Sequence, residues 1–120
     1  MSQLSVEEFA YLLSSASVQR SMSSQPLAGR NIALIFEKPS LRTRVTFEVA
    51  IRQLGAWPIL LGSIESQLGE REAIPDLARN LSLWVDGIVA RVFRHVDLEE
   101  LATFATIPVV NALSDWEHPC

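Results

Sequence analysis

Ser40, Arg42, Thr43 and Arg44 follow an apolar run and open an amphipathic stretch, within Phe36-Glu37-Lys38-Pro39-Ser40-Leu41-Arg42-Thr43-Arg44. Residues of these types in this order can hold an anion. Serine is a favoured N-cap, and a helix starting there turns unpaired backbone N–H groups, at the positive end of its dipole, toward whatever lies beyond the strand. Such a start binds phosphate. Arg42 adds a planar fork of donors matched to phosphate or carboxylate oxygens, and Thr43 adds a hydroxyl. Pro39 disfavours helix at Lys38, which confines the start to the neighbourhood of Ser40. An ordinary capped helix with solvated arginines satisfies the same string, so its surroundings in the fold must discriminate.

Two further places carry polar chemistry. Arg91 interrupts the otherwise apolar run Gly87–Phe93, and the segment Asn111–Cys120 ends in His118, Pro119 and Cys120. On its own terms Arg91 is equally a strand-edge arginine paired with Asp86 or Glu72. His118 near a chain end is ordinarily a surface residue. Nothing near Cys120 marks it as a nucleophile. His95 and Arg94 read as solvated, and Trp57, Trp84 and Trp116 as packing or loop anchors.

Composition bounds the possibilities. With 120 residues, 48% of them hydrophobic, the chain suits one globular domain with a real core. No apolar run approaches the roughly 18 residues of a membrane span. Met1–Ser5 has neither a basic start nor an apolar signal core, so a cytoplasmic protein is expected. A single cysteine excludes an internal disulfide, and two histidines without CxxC or HExxH spacing suggest no metal site and no cofactor. The net charge of −4 argues against a nucleic-acid surface. Nine of the 10 basic residues are arginine, which suits oriented oxyanion contacts but equally reflects base composition.

The elements that must position these groups can be read from periodicity. Ser5-Val6-Glu7-Glu8 is a capping-box pattern, followed by Phe9, Leu12, Leu13 and Ala16 on one helix face. Residues 21–29 read as a loop, Asn31–Phe36 as a strand covered on both faces, and Ser40 to Leu54 as a helix packing through Phe47, Ile51 and Leu54 until Gly55 stops it. A strand at 56–61, a long loop at 62–71 and a helix through Ile74, Leu77, Ala78, Leu81 and Val85 follow, with Pro75 tolerated in its first turn. Gly87–Phe93 reads as a buried strand, Asp97, Glu99 and Glu100 start a short helix with Leu98, Leu101 and Phe104 inward, and Ile107–Val110 is a fourth strand. This alternation predicts an α/β fold in three layers, a central parallel sheet of about four strands flanked by helices. In such sheets ligands gather at the carboxyl ends of the strands. Ser40–Arg44, Ser66-Gln67, Arg91 and Asp115–Cys120 each follow a strand, so all are expected on that edge.

The motifs, taken together and in order, resemble the first domain of the carbamoyltransferases, in their ornithine-type flavour. Phe36–Glu48 is similar to the family's Ser-x-Arg-Thr-Arg signature, where aspartate-type members usually have Phe-Glu-Pro before the serine. Ser66-Gln67-Leu68-Gly69, Asp76-Leu77-Ala78-Arg79 and Asp86–Arg91 follow in the expected places. Asn111–Cys120 resembles Asn-Ala-Leu-Ser-Asp…His-Pro-Cys-Gln, with cysteine after His-Pro the ornithine-type choice. The likeness covers nearly the whole chain from Pro26.

What the resemblance implies is specific. Ser40, Leu41, Arg42 and Thr43 would cradle the phosphate of carbamoyl phosphate, Arg91 would bridge phosphate and carbamoyl oxygens, and His118, with Pro119 and Cys120 beside it, would meet the carbamoyl carbonyl. Gln67 would reach a neighbouring subunit's site in a homotrimer. Leu41 departs from the usual threonine, leaving a backbone N–H but no hydroxyl. The family pattern continues past Cys120 into a second domain that binds ornithine, so residues 1–120 are expected to be the carbamoyl phosphate-binding domain alone and inactive by themselves. Other acceptors (aspartate, putrescine, an acylated ornithine) and a non-catalytic phosphate-binding or interaction module are the competing expectations. A dinucleotide fold is disfavoured because no GxGxxG follows the first strand.

Overall fold

In the computed structural model, which describes residues 4–21, 24–62, 68–70 and 72–116, the chain opens on helix α1 (Val6–Ser21). Its capping box forms as the sequence predicts: the Ser5 N–H donates to Glu8 Oε2 (2.8 Å) and the Glu8 N–H to Ser5 Oγ (3.2 Å). These bonds hold the Glu8 carboxyl below its ordinary value, the Ser5 main-chain bond contributing most. The apolar face is another matter, since Phe9, Leu12 and Leu13 are all exposed. Periodicity specifies a face but not what covers it.

After a turn at 26–29, strand β1 (Asn31–Phe36) leads into helix α2 (Leu41–Gln53), strand β2 (Trp57–Leu61) and helix α3 (Ile74–Trp84). Strand β3 (Gly87–Arg91), helix α4 (His95–Phe104) and strand β4 (Val109–Asn111) complete the order. Helix α4 begins two residues earlier than the acidic cluster suggests, because Asp97 is buried in its first turn, where it pairs with Arg94 (3.0 Å). The last strand is shifted toward Asn111, with Ile107 left before it. All three Trp side chains are exposed, so none is buried in the core.

The sheet is wholly parallel, in the order β2-β1-β3-β4. Four consecutive apolar residues of β1 are buried because opposite faces of the strand meet different layers. Ala33 and Ile35 join Ile88, Ala90 and the α3 and α4 residues Ala78, Leu81, Leu98 and Leu101 in one cluster. Leu34 and Phe36 join Val89 and Ile51 of α2 in another. The three-layer α/β arrangement expected from the alternation is therefore present, with α2 on one face and α3 and α4 on the other. Gly55 ends α2 with φ +89°, and a Cβ there would lie 2.7 Å from Gln25 Cβ, so both the turn and the approach of the 25–28 segment require glycine.

At the amino ends of the strands, Asp86 ties β3 to β1. Its Oδ2 accepts the Asn31 N–H (2.8 Å), its Oδ1 accepts Arg30 Nη1 (2.7 Å), and its own N–H donates to the Asn31 carbonyl (2.8 Å). The Asn31 main-chain bond, then Arg30, hold the carboxyl below its ordinary 3.8. A depressed folded-state value contributes stability that is present above the unfolded value and lost as pH falls through the folded one. Asp86→Asn is expected to lower the thermal midpoint at pH 7, and the difference from wild type to narrow at a pH below the carboxyl's lowered folded-state value, where the protonated acid resembles the amide. Thermal melts at the two pH values check this; a gap that persists in acid would show that the charge is not the cause.

A candidate anion site at the carboxyl edge

Helix α2 starts where the motif requires. Ser40 is the N-cap in extended conformation (φ −158°, ψ 99°), and its side chain makes no capping hydrogen bond. The Arg44 N–H closes the first turn on the Ser40 carbonyl (3.3 Å), which leaves the N–H groups of Leu41, Arg42 and Thr43 without intrahelical acceptors. Leu41 is 73% exposed and takes no part in the core.

The strand order decides what stands opposite this helix start. From β1 the chain steps out to β2 and then returns across β1 to place β3 on its other side, so connections diverge between β1 and β3. A crevice at such a switch point is the usual ligand position in an open parallel sheet. Phe36 and Arg91 are register partners there, at the carboxyl ends of the two strands. Arg91 reaches across the crevice, and its Nη1 donates to Thr43 Oγ1 (2.9 Å). Its Nε is buried without an acceptor among the described residues. An unsatisfied buried donor costs about 1–3 kcal/mol, which a core arginine would not ordinarily retain. Neither alternative partner engages it, since Asp86 is bonded to Arg30 and Asn31 and Glu72 accepts from Asn80 (2.8 Å).

Glu37, which sequence reasoning passed over, sits in the same crevice. Its Oε1 accepts the Leu68 N–H and its Oε2 the Phe93 N–H, both at 2.8 Å. Next to it Lys38 Nζ lies 5.4 Å from the centroid of the Phe93 ring. A cleft of about 370 Å³ opens on the β2 side of the junction, where Ser40, Leu41 and Arg44 face Leu60 and Leu61. Arg44, named in the motif but given no role of its own, is placed here by one helical turn. Arg42 is exposed and has no ion pair among the described residues. The structure thus bonds Arg91 to Thr43 directly, sets Ser40 at the N-cap of the same helix and leaves Arg42 exposed.

The loop after β4 docks on the start of α4. The His95 N–H donates to Asp115 Oδ1 (2.6 Å), His95 Nδ1 lies 2.8 Å from Ser114 Oγ, and the ring stacks on Trp116 at 6.3 Å. His95 is therefore a half-buried anchor rather than the solvated residue expected, a role invisible in a sequence that separates it from Ser114 by 19 positions. The Leu113 carbonyl accepts the Val92 N–H (3.1 Å), so this loop is also tied to the residue after Arg91. Leu113 itself has φ +122°, a strained value for a branched residue of the kind found beside functional sites. Gln67, His118, Pro119 and Cys120 lie outside the described residues. Among the described residues no three His, Cys, Asp or Glu side chains are grouped to hold a metal, and no helix is long and apolar enough to cross a membrane.

Comparison with known proteins gives this geometry a context. The sequence model for the aspartate/ornithine carbamoyltransferase carbamoyl-P binding domain matches residues 1–120. The ornithine carbamoyltransferase of Thermococcus kodakarensis is 54% identical over 94 residues, which cover 78% of this chain and 30% of that protein. That of Anoxybacillus flavithermus is 48% identical over 125 residues, covering 100% of this chain and 40% of the relative. In solved structures, the anabolic ornithine carbamoyltransferase of Campylobacter jejuni superimposes with a TM-score of 0.92 at 39% identity, over 98% of this chain and 39% of its own. The chain therefore spans less than half the length of these relatives.

Proposed function

Because the chain belongs to the aspartate/ornithine carbamoyltransferase family, as its carbamoyl phosphate-binding domain, we propose that the β1/β3 crevice binds carbamoyl phosphate for transfer to the side-chain amine of ornithine, giving citrulline and phosphate within arginine metabolism. The observation that carries this reading is Arg91: a guanidinium bonded to the Thr43 hydroxyl, with a buried Nε that has no acceptor, beside a helix start with free N–H groups. The ornithine acceptor rests on the names of the relatives and on Lys38 and Cys120, the ornithine-type choices at their positions.

The reaction asks for placed donors. The amine nitrogen attacks the carbamoyl carbon, the C–O bond to phosphate breaks with its electron pair leaving on phosphate, and the amine loses a proton. Charge grows on the carbonyl oxygen and on the leaving group, so donors fixed before the reaction lower the barrier. Ser40 Oγ, unused in capping, the N–H groups of Leu41, Arg42 and Thr43, and the Arg42 guanidinium would hold the phosphate. Arg91 would lie between phosphate and carbamoyl oxygens. His118 is assigned to the carbonyl oxygen with Pro119 and Cys120 beside it, and Gln67 to a neighbouring subunit of a homotrimer. The ornithine site is placed in the additional length of the relatives.

Calorimetric titration of the chain with carbamoyl phosphate tests the site. Binding is expected, with Arg42→Ala weakening it by a factor of about 10 or more through loss of a charge-assisted contact. Absence of binding both in this chain and in one extended to the relatives' full length would refute the assignment. The extended chain, assayed for phosphate release and for the matching carbamoylated amine with ornithine, aspartate or putrescine as acceptor, tests the second substrate.

A further inference from the structure

The Glu37 carboxylate spans two loops that the site reading leaves unconnected. It joins Leu68, beyond β2, to Phe93, beyond β3, through one oxygen each at 2.8 Å. The main chain of the same residue adds a third bond, because the Glu37 N–H donates to the Arg91 carbonyl (2.9 Å). Residue 37 therefore grips the third strand on both sides of the fully buried Val92, at 91 by its backbone and at 93 by its side chain. Lys38, over the Phe93 ring, reinforces the same point. Among the described residues no cation pairs with Glu37, so two backbone N–H groups are what its charge satisfies.

Those bonds act where geometry is most demanding. Arg91, at the end of β3, is itself one of the two points on that strand that Glu37 holds, and its guanidinium must meet Thr43 on one side and a ligand on the other. Charge-assisted bonds to backbone N–H groups are shorter and about twice as strong as neutral ones, which suits a carboxylate to fixing two loops at once. We propose that Glu37 is the positioning residue for Arg91, clamping the ends of β1 and β3 so that the guanidinium is held in place before an anion arrives. This inference rests on the reading of the crevice as a carbamoyl phosphate site. Glu37 itself does not touch the ligand.

The sign of one substitution distinguishes positioning from simple electrostatics. Glu37→Gln keeps the shape but removes a negative charge and turns an amide NH2 against one of the two N–H donors. If Glu37 acted only as a nearby charge, its neutralisation would tighten binding of an anion. As a positioning residue it is expected to weaken carbamoyl phosphate binding by a factor of about 10 or more, since small misplacements of a catalytic group are costly. The same variant is expected to speed hydrogen exchange at the Leu68 and Phe93 amides and at Arg91 Nε–H, seen by nitrogen-15 NMR, while the Leu34 amide in β1 stays protected. In an Arg91→Ala background, Glu37→Gln is expected to add no further loss of affinity, whereas a merely structural effect would add.

Unchanged or tighter binding, or losses that add across the two sites, would overturn the proposal. If Glu37→Gln loses protection at Leu34, Glu37→Asp serves instead, keeping the charge but too short to reach both loops, and the same outcomes decide. Should wild-type chain bind no carbamoyl phosphate, the site reading falls, while Arg91 Nε–H exchange unchanged by Glu37→Gln would separately refute the clamp.

Discussion

Arg91→Ala is expected to weaken carbamoyl phosphate binding by this chain about 100-fold, to a level still measurable at high ligand concentration, with little change in stability. The guanidinium donates to Thr43 Oγ1 at 2.9 Å, and its Nε is a buried donor with no acceptor. Removing the side chain deletes the guanidinium at the end of β3 and takes from the Thr43 hydroxyl the donor bonded to it. Under the proposed function, a chain extended to the relatives' length and carrying the variant is expected to lose about 100- to 1,000-fold in kcat, the cost of removing one well-placed donor to a developing oxyanion. Arg91→Lys is expected to recover little, because a single ammonium cannot reproduce a planar fork that meets Thr43 and two classes of oxygen together. Stability should change little. An unsatisfied buried donor costs about 1–3 kcal/mol, so its removal offsets part of the packing lost with the alkyl stem. Urea unfolding beside calorimetry checks both halves; a variant that loses stability yet retains binding would place Arg91 in the scaffold and not in the site.

Leu34→Ala is expected to cost about 2–5 kcal/mol, the range for truncating a fully buried leucine. Leu34 is completely buried in β1 and packs with Phe36, Val89 and Ile51, the layer on which α2 rests. Against a total stability of about 5–15 kcal/mol for a domain, this is enough to populate the unfolded chain under mild denaturant. The urea midpoint should fall with its slope unchanged, since the surface exposed on unfolding is nearly the same. Binding of carbamoyl phosphate should weaken as well, because the N-terminal turn of α2 is held over the crevice by this layer. Leu41→Ala provides the contrast: a 73% exposed residue whose truncation should change stability by no more than about 0.5 kcal/mol. A Leu34 variant as stable as wild type would mean that the cluster beneath α2 is not the support described.

Local pattern was legible wherever a short stretch answers to backbone chemistry alone. Asn31–Phe36 is a strand over the residues the apolar run marked, Ser5 and Glu8 cap one another as their spacing implies, and Ser40 caps α2. The misreadings occur where a partner distant in sequence decides. The α1 face through Phe9, Leu12 and Leu13 is exposed, His95 is held by Ser114 and stacked on Trp116, and the end of α4 leaves Phe104 at the surface beneath Arg79, 5.0 Å from its ring centroid. In the site, the motif announced Ser40, Arg42 and Thr43, and an isolated charge in a buried strand announced Arg91. Glu37 gave no such signal, since a glutamate after a strand is ordinary until its two oxygens are seen to serve two loops.

Sequence by itself determined the alternation of helices and strands, the helix start at Ser40 and the family, because capping, periodicity and spaced motifs act over a few residues each. It also led to the expectation that the polar candidates gather at one edge of a parallel sheet, where Ser40, Thr43 and Arg91 are found. Only the tertiary structure decided that β3 lies next to β1 while β2 lies on its far side. That choice is made by which apolar faces can be buried together, not by any local preference, and it sets Arg91 against Thr43 across 48 residues of chain. The clamp at Glu37 follows from the same strand order, since one carboxylate reaches both Leu68 and Phe93 only if β1 runs between β2 and β3.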